Sequence, residues 1–101
     1  MAVKKKQYVL PRRYTAVGEF LQKKRLEAGL TQREVSLALG YSSSQFISNF
    51  ERGIALLPLK KLRMLGKMYN MSLDSVVEMI LDAEREAMLA VLKGKGSSKS
   101  A

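Results

Sequence analysis

The stretch GYSSSQFISNFERG, residues 40–53, decides how the rest of the chain is read. Phe46, Ile47 and Phe50 fall at helical spacing, while Ser44, Gln45 and Asn49 occupy the opposite side. Glycines bound the segment at both ends. Such a pattern is a short helix with one apolar face for the core and one polar face turned outward.

Working outward, apolar positions recur every three or four residues and β-branched alternation is absent. Upstream, a first helix is expected to start near Thr15 or Ala16, to bury Val17, Phe20, Leu21 and Leu26, and to stop at Gly29. Thr31-Gln32-Arg33-Glu34 matches a capping box, in which hydroxyl and carboxylate satisfy each other's backbone N–H groups. A second helix follows on Val35, Leu37 and Leu39 and ends at Gly40. The quoted stretch supplies the third, placed over 43–52 and ended by Gly53. Pro58 opens a fourth on Leu62, Leu65 and Met68, with Lys60, Lys61, Arg63 and Lys67 outward. Ser72 caps a fifth, with Asp74 near its positive end, that runs to about Leu92. The expected fold is therefore all-α, with five helices.

Composition narrows the function. The 101 residues are 47% hydrophobic and suit one small core, so a single domain with tails is expected. Eighteen Lys and Arg stand against nine Asp and Glu, a formal net charge of +9. The excess is one-sided: residues 1–67 carry 14 basic and 4 acidic side chains, residues 68–101 carry 4 and 5. A polyanion would bind the first part. The sequence has no cysteine and no histidine, which removes thiolate sites, the commonest metal ligand and the commonest general base. Asp82, Glu84 and Glu86 lie close together, yet Asp82 and Glu86 form an i,i+4 pair on a solvated face. No catalysis, metal or cofactor is expected. No stretch approaches the roughly 20 apolar residues of a membrane-spanning helix, and a cytoplasmic, nucleoid-associated protein is expected. The domain is placed at 15–82, with a basic arm over 1–14, a helix extension over 83–93 and a tail over 94–101.

Two short helices joined by a tight turn, the second polar on its outer face, form the skeleton of a helix-turn-helix. Here the chain resembles the lambda-repressor-like, or Xre/Cro, family of DNA-binding domains over roughly residues 17–81. The resemblance rests on Gly29-Leu30-Thr31-Gln32, Ala38 with Gly40, Ile47-Ser48, Glu51 with Gly53, and Met71-Ser72-Leu73-Asp74. One departure stands out: seven residue steps separate Gly40 from Ile47 where the family most often has six, so the turn is longer by one serine.

The resemblance implies a sequence-specific regulator of transcription, a repressor in type, that lays the third helix in the major groove of double-stranded DNA. Ser44, Gln45 and Asn49 would then contact bases, glutamine and asparagine being suited to two-point bonding with adenine. Gln45 has a second reading, as the partner of Ser42 in a capping box. Gln32, Ser43, Arg33, Lys23, Lys24 and Arg52 would hold phosphates, with Ser43 also capping the third helix. Arg25 and Glu51 match a scaffold pair between the first and third helices. Phe46 either packs beneath the lengthened turn or meets a thymine methyl. The arm is either a DNA contact or a solvated terminus.

Leu73, Val76, Val77, Ile80 and Leu81 are expected to close the domain core, yet apolar residues continue beyond them. Val76, Ile80, Ala83, Ala87, Ala90 and Val91 are spaced as a helix–helix seam, which suggests a homodimer on an inverted-repeat operator. The alternatives are that 83–92 folds back on its own core, or that it binds a different protein as in an antitoxin or adaptor.

Overall fold

The structure, a computed structural model, describes residues 13–94. The basic arm short of Arg13 and the tail beyond Gly94 lie outside the described residues. Five helices follow in order: α1 Thr15–Glu27, α2 Gln32–Ala38, α3 Gln45–Glu51, α4 Leu59–Met68 and α5 Leu73–Leu92. There is no strand among the described residues.

Local chemistry sets most of the helix ends. Thr31 caps α2 through a complete capping box: the Glu34 backbone N–H donates to the Thr31 hydroxyl at 3.0 Å, and the Thr31 N–H donates to the Glu34 carboxylate at 2.8 Å. Pro58 stands at the N-cap of α4. Ser72 stands at that of α5 without a side-chain capping bond.

One core joins all five helices. Val17 and Leu21 of α1 meet Val35 of α2, Ile47 and Phe50 of α3, and Leu62 and Leu65 of α4, with Leu39, Leu57, Tyr69 and Val76 completing it. Two glycines let backbones approach closely. A side chain on Gly18 would come within 2.6 Å of the Phe50 carbonyl oxygen, so α1 crosses the end of α3 at a distance that only glycine allows. Gly53, at φ +79°, turns the chain after α3 and accepts the Tyr14 N–H at 3.2 Å, binding the start of α1 to the end of α3.

Several positions differ from the periodicity-based expectation. Leu26 is 61% exposed and Leu37 54% exposed, and Leu73, Val77 and Leu81 are also exposed. A seven-residue helix such as α2 has too few turns for spacing to fix which stripe is buried, and the core takes Val35 and Ser36 instead. Lys61 does not point outward: its ammonium donates to the Leu39 carbonyl at the end of α2 and lies 5.1 Å from the centre of the Tyr41 ring.

α5 passes residue 82 without a break. Just beyond it, Glu84 accepts a hydrogen bond from the Tyr14 hydroxyl and pairs with Arg13 at 3.2 Å. The start of the extension is thus fastened to the N-terminal end of α1. Val76 is 2% exposed and belongs to the core of its own chain, so it cannot serve as a seam residue. Ile80 is half-buried against the same core.

Candidate nucleic-acid interface

The site is built on α3, whose inner face is anchored in three ways. Ile47 and Phe50 are buried in the core. Glu51, also buried, receives Arg25 of α1 through Nε at 2.6 Å and Nη2 at 3.1 Å. Arg25 spends its remaining terminal nitrogen on the Leu30 carbonyl at 2.7 Å, which steadies the link between α1 and α2. Glu51 also receives Gln32 of α2, Nε2 to Oε1 at 2.9 Å. One carboxylate at the end of α3 therefore gathers donors from both preceding helices. The two-point bond to Glu51 pushes the Arg25 pKa above its ordinary value, so the guanidinium stays charged.

The Gln32 interaction changes the role that the resemblance suggests for that residue. Gln32 is half-buried and its amide turns inward to Glu51, so its side chain ties α2 to α3 rather than standing out toward a phosphate. Its position at the first residue of α2 gave no signal of this, because the partner lies nineteen residues on.

The outer face of α3 carries a hydrogen-bonded polar row. Gln45 Nε2 donates to Asn49 Oδ1 at 2.9 Å, and Arg52 Nη2 donates to the same oxygen at 2.6 Å. The spacing of four and then three residues places all three on one stripe of helix. Gln45 is exposed and Asn49 half-exposed. The capping box between Ser42 and Gln45 does not form, since the glutamine side chain runs along the helix to Asn49.

The turn between α2 and α3 spans residues 39–44. α3 begins at Gln45, two residues later than its expected start at 43, and its N-cap is Ser44 rather than Ser43. Ser44 makes no side-chain capping bond. The Ser43 hydroxyl accepts the Gln45 N–H at 3.3 Å, a weaker bond from one residue further back. The extra serine is absorbed here, and Tyr41 and Phe46 bridge the turn with their rings stacked at 4.5 Å between centres. Phe46 thus packs one face of its ring against the turn through Tyr41, and it remains 55% exposed.

Of the cations expected near phosphates, Arg33, Lys23 and Arg52 are exposed. Lys24 is half-buried, pairs with Glu27 at 3.4 Å and lies over the Phe20 ring at 5.6 Å. No group of three or more His, Cys, Asp or Glu able to hold a metal ion occurs among the described residues. No helix of the described residues is long and apolar enough to cross a membrane.

The comparison with known families agrees with this geometry: a family model described as helix-turn-helix, of the lambda-repressor and Xre-like kind, matches residues 21–76. The chain belongs to this helix-turn-helix family. The matched span runs from Leu21 in the core of α1 to Val76 in the core of α5, and so takes in the Arg25–Glu51 pair, both helices of the motif and all of α4. It is a family of DNA-binding domains. No curated protein and no solved structure matches the chain.

Proposed function

We propose that this helix-turn-helix chain is a sequence-specific regulator of transcription, a repressor in type, that reads the major groove with α3. The observation that carries the reading is the Gln45–Asn49–Arg52 row on a helix whose opposite face is tied down by Glu51. Two donors are spent on Asn49 Oδ1, which leaves the Asn49 amide N–H groups and the Gln45 carbonyl oxygen as the donors and acceptor to meet a base edge. One donor beside one acceptor complements the N7 acceptor and N6 donor of adenine. Ser44 adjoins them at the helix start. Arg33, Lys23, Lys24 and Arg52 hold phosphates, with Ser43 at the turn, and these contacts set register rather than sequence. A DNA partner would place the protein in the compartment that holds the DNA.

Selection of bound sequences from a random duplex library tests this directly. A consensus with adenine opposite α3 is expected. Gln45→Ala should then lose about 1–3 kcal/mol of discrimination at one base step while the fold persists. Recovery of no consensus, or unchanged operator binding by Gln45→Ala, overturns the reading.

The same reading assigns a homodimer to the second half of α5. Ala83, Ala87, Ala90 and Val91 line an open groove of about 650 Å³ that Ala16 and Met79 continue. Val91 is 78% and Leu92 81% exposed, apolar surface that one chain leaves uncovered. Pairing two such helices about a twofold axis would set the recognition helices about 34 Å apart and require an inverted-repeat operator. Ala90→Arg, which places a long charged side chain in the groove six residues beyond Glu84, should yield a folded monomer with weaker operator binding. Sedimentation of the unmodified chain as a monomer at micromolar concentration overturns the seam, and stoichiometric binding of a different polypeptide there favours the antitoxin or adaptor role.

A further inference from the structure

Phe46 is the second residue of α3, and it differs from the other large apolar side chains of that helix: Ile47 and Phe50 are buried, whereas Phe46 is 55% exposed. It is also held in place. Its ring stacks on Tyr41 with 4.5 Å between centres and 24° between planes. Tyr41 in turn lies under the Lys61 ammonium, 5.1 Å from the ring centre, and that ammonium is fixed by the Leu39 carbonyl. A cation from α4 thus braces the turn, and the turn braces one face of an aromatic ring at the start of α3. Gln45 precedes this ring, and Asn49 follows one helical turn later.

We propose that Phe46 reads the C5-methyl group of a thymine in the major groove, at a base step beside the one met by Gln45. The inference rests on the DNA-binding reading above. Among the features that a base pair shows in the major groove, the pyrimidine methyl is the apolar one, and an apolar side chain on a helix in that groove finds its complement there. The N-terminal residues of a recognition helix are those that reach base edges. Because the stack already fixes the ring, contact with the methyl costs little side-chain entropy, so the burial appears as discrimination rather than being spent on ordering. A ring that only braced the turn would be indifferent to the base opposite it.

The test uses the unmodified full chain and the duplex recovered by selection, with each thymine replaced singly by deoxyuridine, which removes the methyl and nothing else. Replacement at one step beside the adenine contact is expected to weaken binding about fourfold, the worth of one buried methyl-sized group, with other steps unchanged. Phe46→Ala, checked for an unaltered melting transition, is expected to bind the thymine and uracil duplexes equally. A third arm places cytosine or 5-methylcytosine at that step. Both should bind less well than thymine, and tighter binding of 5-methylcytosine than of thymine would overturn the assignment to thymine. Equal binding of thymine and uracil duplexes by the unmodified chain overturns the inference while leaving the DNA-binding reading intact, as does uracil sensitivity that survives in Phe46→Ala. Failure to bind any duplex overturns both.

Discussion

Arg25 on α1 and Glu51 at the end of α3 meet in a buried two-point ion pair, Nε to Oε2 at 2.6 Å and Nη2 to Oε1 at 3.1 Å. Its role is positional. A buried pair contributes little net stability, since desolvation of both charges offsets their attraction, but it allows one relative placement of the two helices. Through Gln32 the same carboxylate holds α2. Together with Ile47 and Phe50 in the core, this carboxylate therefore helps set the angle at which the outer row of α3 stands.

Removing one partner should be costly, and removing the second should add less than the first. Arg25→Ala or Glu51→Ala leaves a buried charge without its partner and is expected to cost about 3–5 kcal/mol. The double variant should fall short of the sum by about 1–3 kcal/mol. Urea denaturation of the four proteins measures the difference, and additive losses would mean that the two charges act independently.

The Ser36 hydroxyl is buried with no hydrogen-bond partner among the described residues. A hydroxyl left so carries a desolvation penalty with nothing to offset it. Ser36→Ala should raise stability by about 1 kcal/mol, a rise in Tm of roughly 4–8 °C for a domain of this size. A lowered melting transition would show that the hydroxyl is satisfied in solution.

Tyr14 fastens α1 to α5 through Glu84. Tyr14→Phe removes this bond to a carboxylate that is only partly shielded from water, and is expected to cost about 1 kcal/mol. Loss of the bond should act locally: amide hydrogen exchange should quicken over residues 84–92 and stay unchanged in α2 and α3. Uniform quickening would show that the whole domain, rather than the extension, depends on this contact.

At alkaline pH a different tyrosine matters most. Burial, and then the charge of Glu51, push the Tyr69 hydroxyl above its ordinary 10.0, with Arg25 opposing. A raised value in the folded chain means that this chain holds the proton after the unfolded chain has begun to lose it. The stability is complete below pH 10 and falls as pH rises from there toward the folded value. Tyr14 shifts in the same direction, first through its bond to Glu84 and then through burial. Tyr69→Phe should flatten the fall in Tm above pH 10, and Tyr14→Phe/Tyr69→Phe should flatten it further. An unchanged slope would show that the buried Tyr69 hydroxyl does not govern the alkaline loss.

By itself the sequence determined what local chemistry controls. The capping box at Thr31 and Glu34, the glycine that turns the chain after α3, the proline at the start of α4 and the order of five helices each depend on residues within a few positions of one another. The family match over residues 21–76 spans these signals at Thr31, Glu34, Gly53 and Pro58. Only the tertiary structure decided which stripe of each short helix is covered and which side chains meet across the chain. Leu26 and Leu37 have helical spacing yet stay exposed, because the neighbouring helices cover Val35, Ser36 and Arg25 instead. Gln32 reaches Glu51 across nineteen residues, Lys61 reaches Leu39 across twenty-two and Tyr14 reaches Glu84 across seventy. Such contacts leave no trace in local spacing, because a long polar side chain finds its partner only after packing has fixed where the backbones lie.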